Sequence, residues 1–221
     1  MRINRFVATA SGLSRRAADK ALLDGRVTVN DTVATPATEL TDESEVKLDG
    51  QLLMLPLATE TILLHKPIGY VVSRDGQGSR TVYDLLPPEL HELKPVGRLD
   101  KDSSGLLLMT NDGELAHQLT HPSFHKTKIY EVILDKPLQP LHRQMINDIG
   151  IQLDDGLSKL QLDRLADGDE TGWQVTMHEG RNRQIRRTFA AFGYSVVKLH
   201  RTSFGTYHLG DLKKGTYISV E

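Results

Sequence analysis

The chain reads as an α+β protein in two parts. A small N-terminal module combines two helices with a short sheet, and a larger domain is built on a mostly antiparallel sheet. Three observations predict this. Apolar residues recur in many short runs of strand length, while helical periodicity is confined to a few stretches. Residues 51–59 lie between two such groups of elements and contain Pro56, which argues against a long central strand there. They are read as a linker between a module at 1–50 and a domain at 60–221. The composition, 38% hydrophobic and 25% charged over 221 residues, suits folded globular parts of those sizes.

In chain order, Ile3, Phe6 and Val7 face inward on a short helix that begins at Arg2 and reaches Ala8. Ser14 stands as the N-cap of a second helix, 15–23, whose apolar face uses Ala18, Ala21 and Leu22. Gly25 follows where a helix ends in a left-handed residue. Val27 and Val29 alternate as a strand before a polar turn at Asn30-Asp31. A further strand covers 45–48, and Asp49-Gly50 is a hairpin turn. In the larger part, strands are expected at 60–65, 70–73, 106–110, 128–134, 159–164, 173–178, 196–200 and 216–220. Helices are expected at 81–86, where Pro87-Pro88 stops the first, and at 114–120, 141–149 and 182–192.

No apolar run reaches the ~18 residues of a membrane span, and the N-terminus lacks the apolar core of a secretory signal. The absence of cysteine excludes disulfides, thiolate catalysis and zinc–thiolate sites. A cytoplasmic home is the expectation. The net charge of −2 does not advertise a polyanion binder, but the charges are segregated. Residues 1–31 carry six basic and three acidic side chains, and residues 178–201 carry six basic and one acidic. Residues 135–170 hold eight acids against four bases and are read as an acidic back face. Because screening confines an exposed charge to within ~10 Å, a polyanion responds to such patches rather than to the total.

The segment Gly97–Pro122, GRLDKDSSGLLLMTNDGELAHQLTHP, carries the strongest chemical signal. Asp100 lies on a loop that feeds the apolar run Leu106 to Met109. A carboxylate on a loop braced by a buried strand is held rigidly with its charge facing a cleft. A second signal is GRNRQIRR at 180–187, which opens a helix with Ile185, Phe189 and Phe192 inward and arginines on the other faces. Among nine histidines, His117 and His121 are four apart, but Pro122 ends their helix and no third ligand is apparent. No Walker loop, dinucleotide-binding glycine pattern or Gly-x-Ser-x-Gly elbow is present.

The GRLD…SSG segment resembles the signature of the pseudouridine synthases, in the RsuA/RluB group, over more than twenty consecutive positions. Ser103 stands where the family usually has threonine, a conservative hydroxyl change. Residues 2–31 resemble the S4 RNA-binding domain, which implies that Arg15, Arg16 and Lys20 dock on folded RNA. The resemblance implies an isomerase, without cofactor, that converts a specific uridine of ribosomal RNA to pseudouridine on a flipped-out nucleotide. Asp100 would open the reaction at the ribose. Arg186 would pair with Asp100 and keep it ionised. Tyr130, in a K-x-Y-x-V strand, would stack on the uracil and assist the last proton removal. Leu199 would pack against the pocket, and Lys66-Pro67-x-Gly69 would brace the active-site loop. Arg98 would fill the gap left by the flipped base, with Arg183 and Arg187 on phosphates. The HEGRNRQIRR wording leans toward the large-subunit rRNA enzymes. The expected partner is rRNA or a ribosomal-subunit assembly intermediate, met by a monomer. Alternatives are a non-catalytic RNA-binding assembly factor, a pseudouridine synthase acting on another RNA such as transfer RNA, and an acid–base hydrolase of another polyanion.

Overall fold

In the N-terminal unit, two helices lay one apolar face each onto a small sheet. The computed structural model describes residues 1–55 and 59–220, and the chain divides into two units at Thr59/Glu60. Helix α1 (Ile3–Ser11) buries Ile3, Val7 and Ala8. It runs past Ala8 and stops at Gly12, whose φ of 74° is left-handed. Helix α2 (Arg15–Leu23) is capped by Ser14, whose side chain accepts from the Ala17 amide. Strands β1 (Val27–Val29), β2 (Thr32–Val33), β3 (Val46–Leu48) and β4 (Gln51–Leu52) form an antiparallel sheet in the order β2-β1-β3-β4. Its two hairpins turn at Asn30-Asp31 and Asp49-Gly50, all four residues at positive φ. Pro56, cited for the linker, falls outside the described residues.

The larger unit is organised by one sheet. Its strands are β5 (Thr61–Lys66), β6 (Lys94–Pro95), β7 (Ser104–Thr110), β8 (Lys128–Leu134), β11 (Gln161–Arg164), β12 (Gly172–Met177), β13 (Val196–Phe204), β14 (Tyr207–His208) and β15 (Tyr217–Ser219). Strands β9 (Ile151–Leu153) and β10 (Gly156–Ser158) form a separate hairpin. The large sheet runs β11-β12-β8-β13-β7-β5-β15, with β14 on β13 and β6 on β7. Among its pairings, β13 with β7 is parallel and the others are antiparallel. Strand β7 is buried along its whole length. Leu107 and Met109 enter one apolar layer, and Leu106 and Leu108 enter the layer on the opposite face. A strand covered on both faces needs an unbroken apolar run, which is why this segment does not alternate. Each such leucine contributes about 1.5–3 kcal/mol by burial.

Helices α3 (Gly113–Thr120), α4 (Pro140–Gln144) and α5 (Gln184–Ala190) lie between strands. Three expected elements differ. Residues 70–73 form no strand; Val71 makes one isolated bridge to Thr81. The expected helix at 81–86 is a 3₁₀ turn, Val82–Leu85, closed by a Thr81/Asp84 capping box. The expected helix at 141–149 is α-helical only to Gln144 and widens into a π-type turn over Met145–Ile149. Among the described residues, no helix is long and apolar enough to cross a membrane.

Candidate active site

The loop between β6 and β7 carries Asp100 and is held by the turn that follows β5. Lys66, at the end of β5, is fully buried. Its Nζ donates to three carbonyl oxygens, those of Ser103 (2.7 Å), Asp100 (3.0 Å) and Pro67 (3.0 Å). The amide of Gly69, at φ 95°, donates to the Lys101 carbonyl at 2.8 Å. The Lys66-Pro67-Ile68-Gly69 turn thus braces the Asp100 loop through backbone atoms. Burial lowers the Lys66 amine to about 8, against the opposing pull of the Asp100 and Asp102 charges.

Between the folded value of about 8 and the unfolded value near 10.4, the unfolded chain holds more protons at this lysine. Its contribution therefore makes stability rise with pH across that window, by up to about 1.4 kcal/mol per pH unit. Lys66→Met should remove this slope. It should also destabilise the protein by about 3 kcal/mol at pH 7, because three loop carbonyls lose their donor. Urea unfolding at pH 7, 8, 9 and 10 measures both effects.

Asp100 opens into a cavity of about 480 Å³. Arg98 and Arg183 also line it, with Tyr130, Leu199 and Arg201. The Asp100 side chain is 34% exposed, so a substrate atom can reach it. Its carboxylate accepts from Arg183 Nη1 at 3.3 Å. The same guanidinium bonds both oxygens of Asp102 at 3.2 Å. Burial pushes the Asp102 carboxyl up. The Arg183 hydrogen bond and the nearby charges of Arg186 and Arg183 outweigh it and hold that carboxyl below the usual range.

Arg183, not Arg186, is therefore the base on Asp100. Helix α5 begins at Gln184, two residues later than expected, and Arg183 precedes it at a left-handed φ of 47°. That conformation turns the Arg183 side chain to the cavity. Arg186 lies in the first turn of α5 and acts as a strut. It donates to the carbonyls of Val196 (2.7 Å) and Asp102 (3.0 Å) and pairs with the Asp102 carboxylate at 3.2 Å. Arg187 is not free for phosphate. It pairs with Asp154, and with Asp155 at 2.5 Å, while Arg181 meets Asp155 at 2.7 Å. The turn between β9 and β10 supplies both aspartates, so this part of the acidic 135–170 segment neutralises the basic helix rather than forming a separate back face.

Tyr130 on β8 is buried, as is Leu199 on β13, and both face the cavity. Arg98 is exposed at its edge. In the N-terminal unit, Arg15, Arg16 and Lys20 are exposed on α2. The sequence reading missed Arg201 as a site residue. It stands two positions after Leu199 on β13, and period-2 alternation was the signal that both share a face.

A partly exposed carboxylate in a cavity edged by arginines, on a braced loop of an α+β domain, is the arrangement of a catalytic site. The RNA pseudouridylate synthase family model matches residues 60–191, and the S4 domain model matches residues 1–46. The chain belongs to the RNA pseudouridylate synthase family and is an RNA pseudouridine synthase, an isomerase. It is 37% identical over 220 residues to a protein of Yersinia pestis named ribosomal small subunit pseudouridine synthase A, covering 98% of this chain and 93% of that one. It is 36% identical over 223 residues to ribosomal large subunit pseudouridine synthase B of Bacillus subtilis, covering 97% and 89%. A crystal structure of a pseudouridylate synthase superposes with a TM-score of 0.72 at 30% identity, covering 100% of this chain and 96% of that chain.

Proposed function

We propose that this protein isomerises a uridine of ribosomal RNA to pseudouridine, with Asp100 as the group that starts the reaction at the ribose. The observation that carries this reading is the Asp100 carboxylate, reachable from the cavity and held by Arg183 at 3.3 Å. The target nucleotide leaves its stack and enters the cavity, at a cost of a few kcal/mol. Exposed Arg98 occupies the space the base vacates. Asp100 acts as nucleophile or base and divides one difficult step into two. Tyr130 stacks on the uracil and assists the final loss of the C5 proton. Leu199 packs beside it.

Ribosomal RNA as substrate is supported by the names of the relatives in Yersinia pestis and Bacillus subtilis, which cover nearly the whole chain. Those names include both ribosomal subunits. The HEGRNRQIRR wording favours the large subunit, on free RNA or an assembly intermediate. We assign the N-terminal unit, whose sheet takes in Gln51–Leu52 of the segment expected as a linker, to RNA docking and 60–221 to catalysis, in a cytoplasmic monomer. The purified protein, incubated with large- and small-subunit rRNA, should install pseudouridine at one position, read by chemical mapping of the product. No new pseudouridine in either RNA would reject the reading.

Docking by the N-terminal unit has its own test. Arg15 and Arg16 are exposed on a capped helix, so they meet phosphates without first ordering a loop. Arg15→Glu with Arg16→Glu should weaken rRNA binding by about tenfold or more at 0.1 M salt, with a shallower salt dependence. The melting temperature should stay within about two degrees, because neither side chain is buried. Unchanged affinity in a filter-binding titration would remove the docking role.

A further inference from the structure

Arg201 is 2% exposed, yet among the described residues no carboxylate pairs with it. Its Nε donates to the Leu106 carbonyl at 2.8 Å, and its Nη2 has no hydrogen-bond partner. The guanidinium lies 5.0 Å from the Phe204 ring centre and 6.0 Å from that of Tyr130. Lys128 approaches the same Phe204 ring at 5.1 Å. Burying a cation with an unsatisfied donor costs free energy that aromatic faces offset only in part. Arg201 also lines the cavity that holds Asp100. A buried guanidinium with an unmet donor in the wall of a cavity lacks an acceptor that an occupant of that cavity can supply.

We propose that Arg201 is a catalytic residue whose free Nη2 donates to a carbonyl oxygen of the uracil and stabilises the negative charge that ring carries while detached. The proposal rests on the isomerase reading above. When the C1′–N1 bond breaks, its electron pair passes to N1 and spreads over the two carbonyl oxygens. The ring turns, and an electron pair at C5 forms the C1′–C5 bond. The C5 proton then leaves and N1 regains one, so the net composition is unchanged. A fixed donor aimed at charge that appears only between the two bonds accelerates the reaction without tightening ground-state binding. A phosphate is the less fitting acceptor. Phosphates follow the solvent-exposed course of the RNA chain, whereas Arg201 is 2% exposed. Arg201 is far more buried than Asp100, which the ribose must reach, so the base is the part of the nucleotide that meets it.

The test compares Arg201→Met with the native enzyme in single-turnover cleavage of the N-glycosidic bond, using RNA that carries uridine or 5-fluorouridine at the target. The more acidic fluorinated ring departs with less help. Arg201→Met should slow cleavage about 10²–10³-fold with uridine, at least about tenfold less with 5-fluorouridine, and leave RNA affinity within a few-fold. Equal losses with both rings, or a loss confined to affinity, would overturn the proposal. The native protein supplies an arm that does not depend on the variant's folding. It should bind free 5-nitrouracil, an anion at neutral pH, at least about tenfold more tightly than neutral uracil, and equal affinities would also overturn it. Native enzyme that installs no pseudouridine defeats the underlying reading instead.

Discussion

Asp100→Asn is expected to abolish pseudouridine formation, by at least about 10⁴-fold, while rRNA affinity stays within a few-fold. The amide keeps the volume of the carboxyl but is neither a competent nucleophile nor a base. Losses of this size accompany removal of the group that makes or breaks bonds, whereas removing a positioning contact costs less. The loop should survive the change. Lys66 holds it through the backbone carbonyls of Asp100 and Ser103, which the substitution leaves in place. Arg183 retains both oxygens of Asp102. Single-turnover assays of tritium release from C5-labelled uridine, with a parallel binding titration, measure the two quantities. Turnover within tenfold of the native rate would show that another group starts the reaction.

Gly105→Ala should cost more than about 4 kcal/mol of stability. Gly105 has a φ of 110°, and a Cβ there would lie 2.2 Å from the Arg201 carbonyl oxygen and 2.6 Å from its amide nitrogen. Both atoms belong to the backbone of β13, so no side-chain rotation relieves the clash. The parallel pairing of β7 with β13 spans His200↔Ser104 and Arg201↔Gly105, and an added methyl would force the strands apart there. Destabilisation beyond 4 kcal/mol is diagnostic of such a mechanism. Equilibrium urea unfolding gives the value. A cost below about 1 kcal/mol would mean that the two strands do not approach as closely as described.

Gly105 also explains why the GRLD…SSG segment carries so much information. Its residues serve two ends at once, an accessible carboxylate at Asp100 and a close backbone crossing five residues later. Arg201 sits opposite that crossing, so the segment that presents Asp100 also sets the position of the unpaired guanidinium. The bracing role of the Lys66-Pro67-x-Gly69 turn was implied by resemblance alone, and the three carbonyls that Lys66 binds are seen only in the structure.

The arginine helix shows where one-dimensional reading stops. GRNRQIRR announces a basic helix start, and Ile185 and Phe189 do point inward as their spacing requires. Which arginine meets which carboxylate depends on one backbone angle at Arg183 and on an acidic hairpin about thirty residues earlier in the chain. The left-handed Arg183 reaches Asp100, Arg186 staples Asp102 to β13, and Asp154 and Asp155 take Arg187. Helical periodicity gives the side of a helix but not where a long arginine side chain reaches beyond its first turn.

The sequence by itself determined the α+β class, the capped basic helix α2, the buried strand behind Asp100 and the loop on which that carboxylate stands. Those features follow from local rules, namely apolar periodicity, capping and turn residues, which act over a few positions. Tertiary structure alone decided that Arg183 rather than Arg186 pairs with Asp100, that Arg187 is already neutralised, and that Arg201 is buried with a donor to spare. Each of these is a contact between residues far apart in the chain, and its free energy depends on distances and burial that no local pattern encodes.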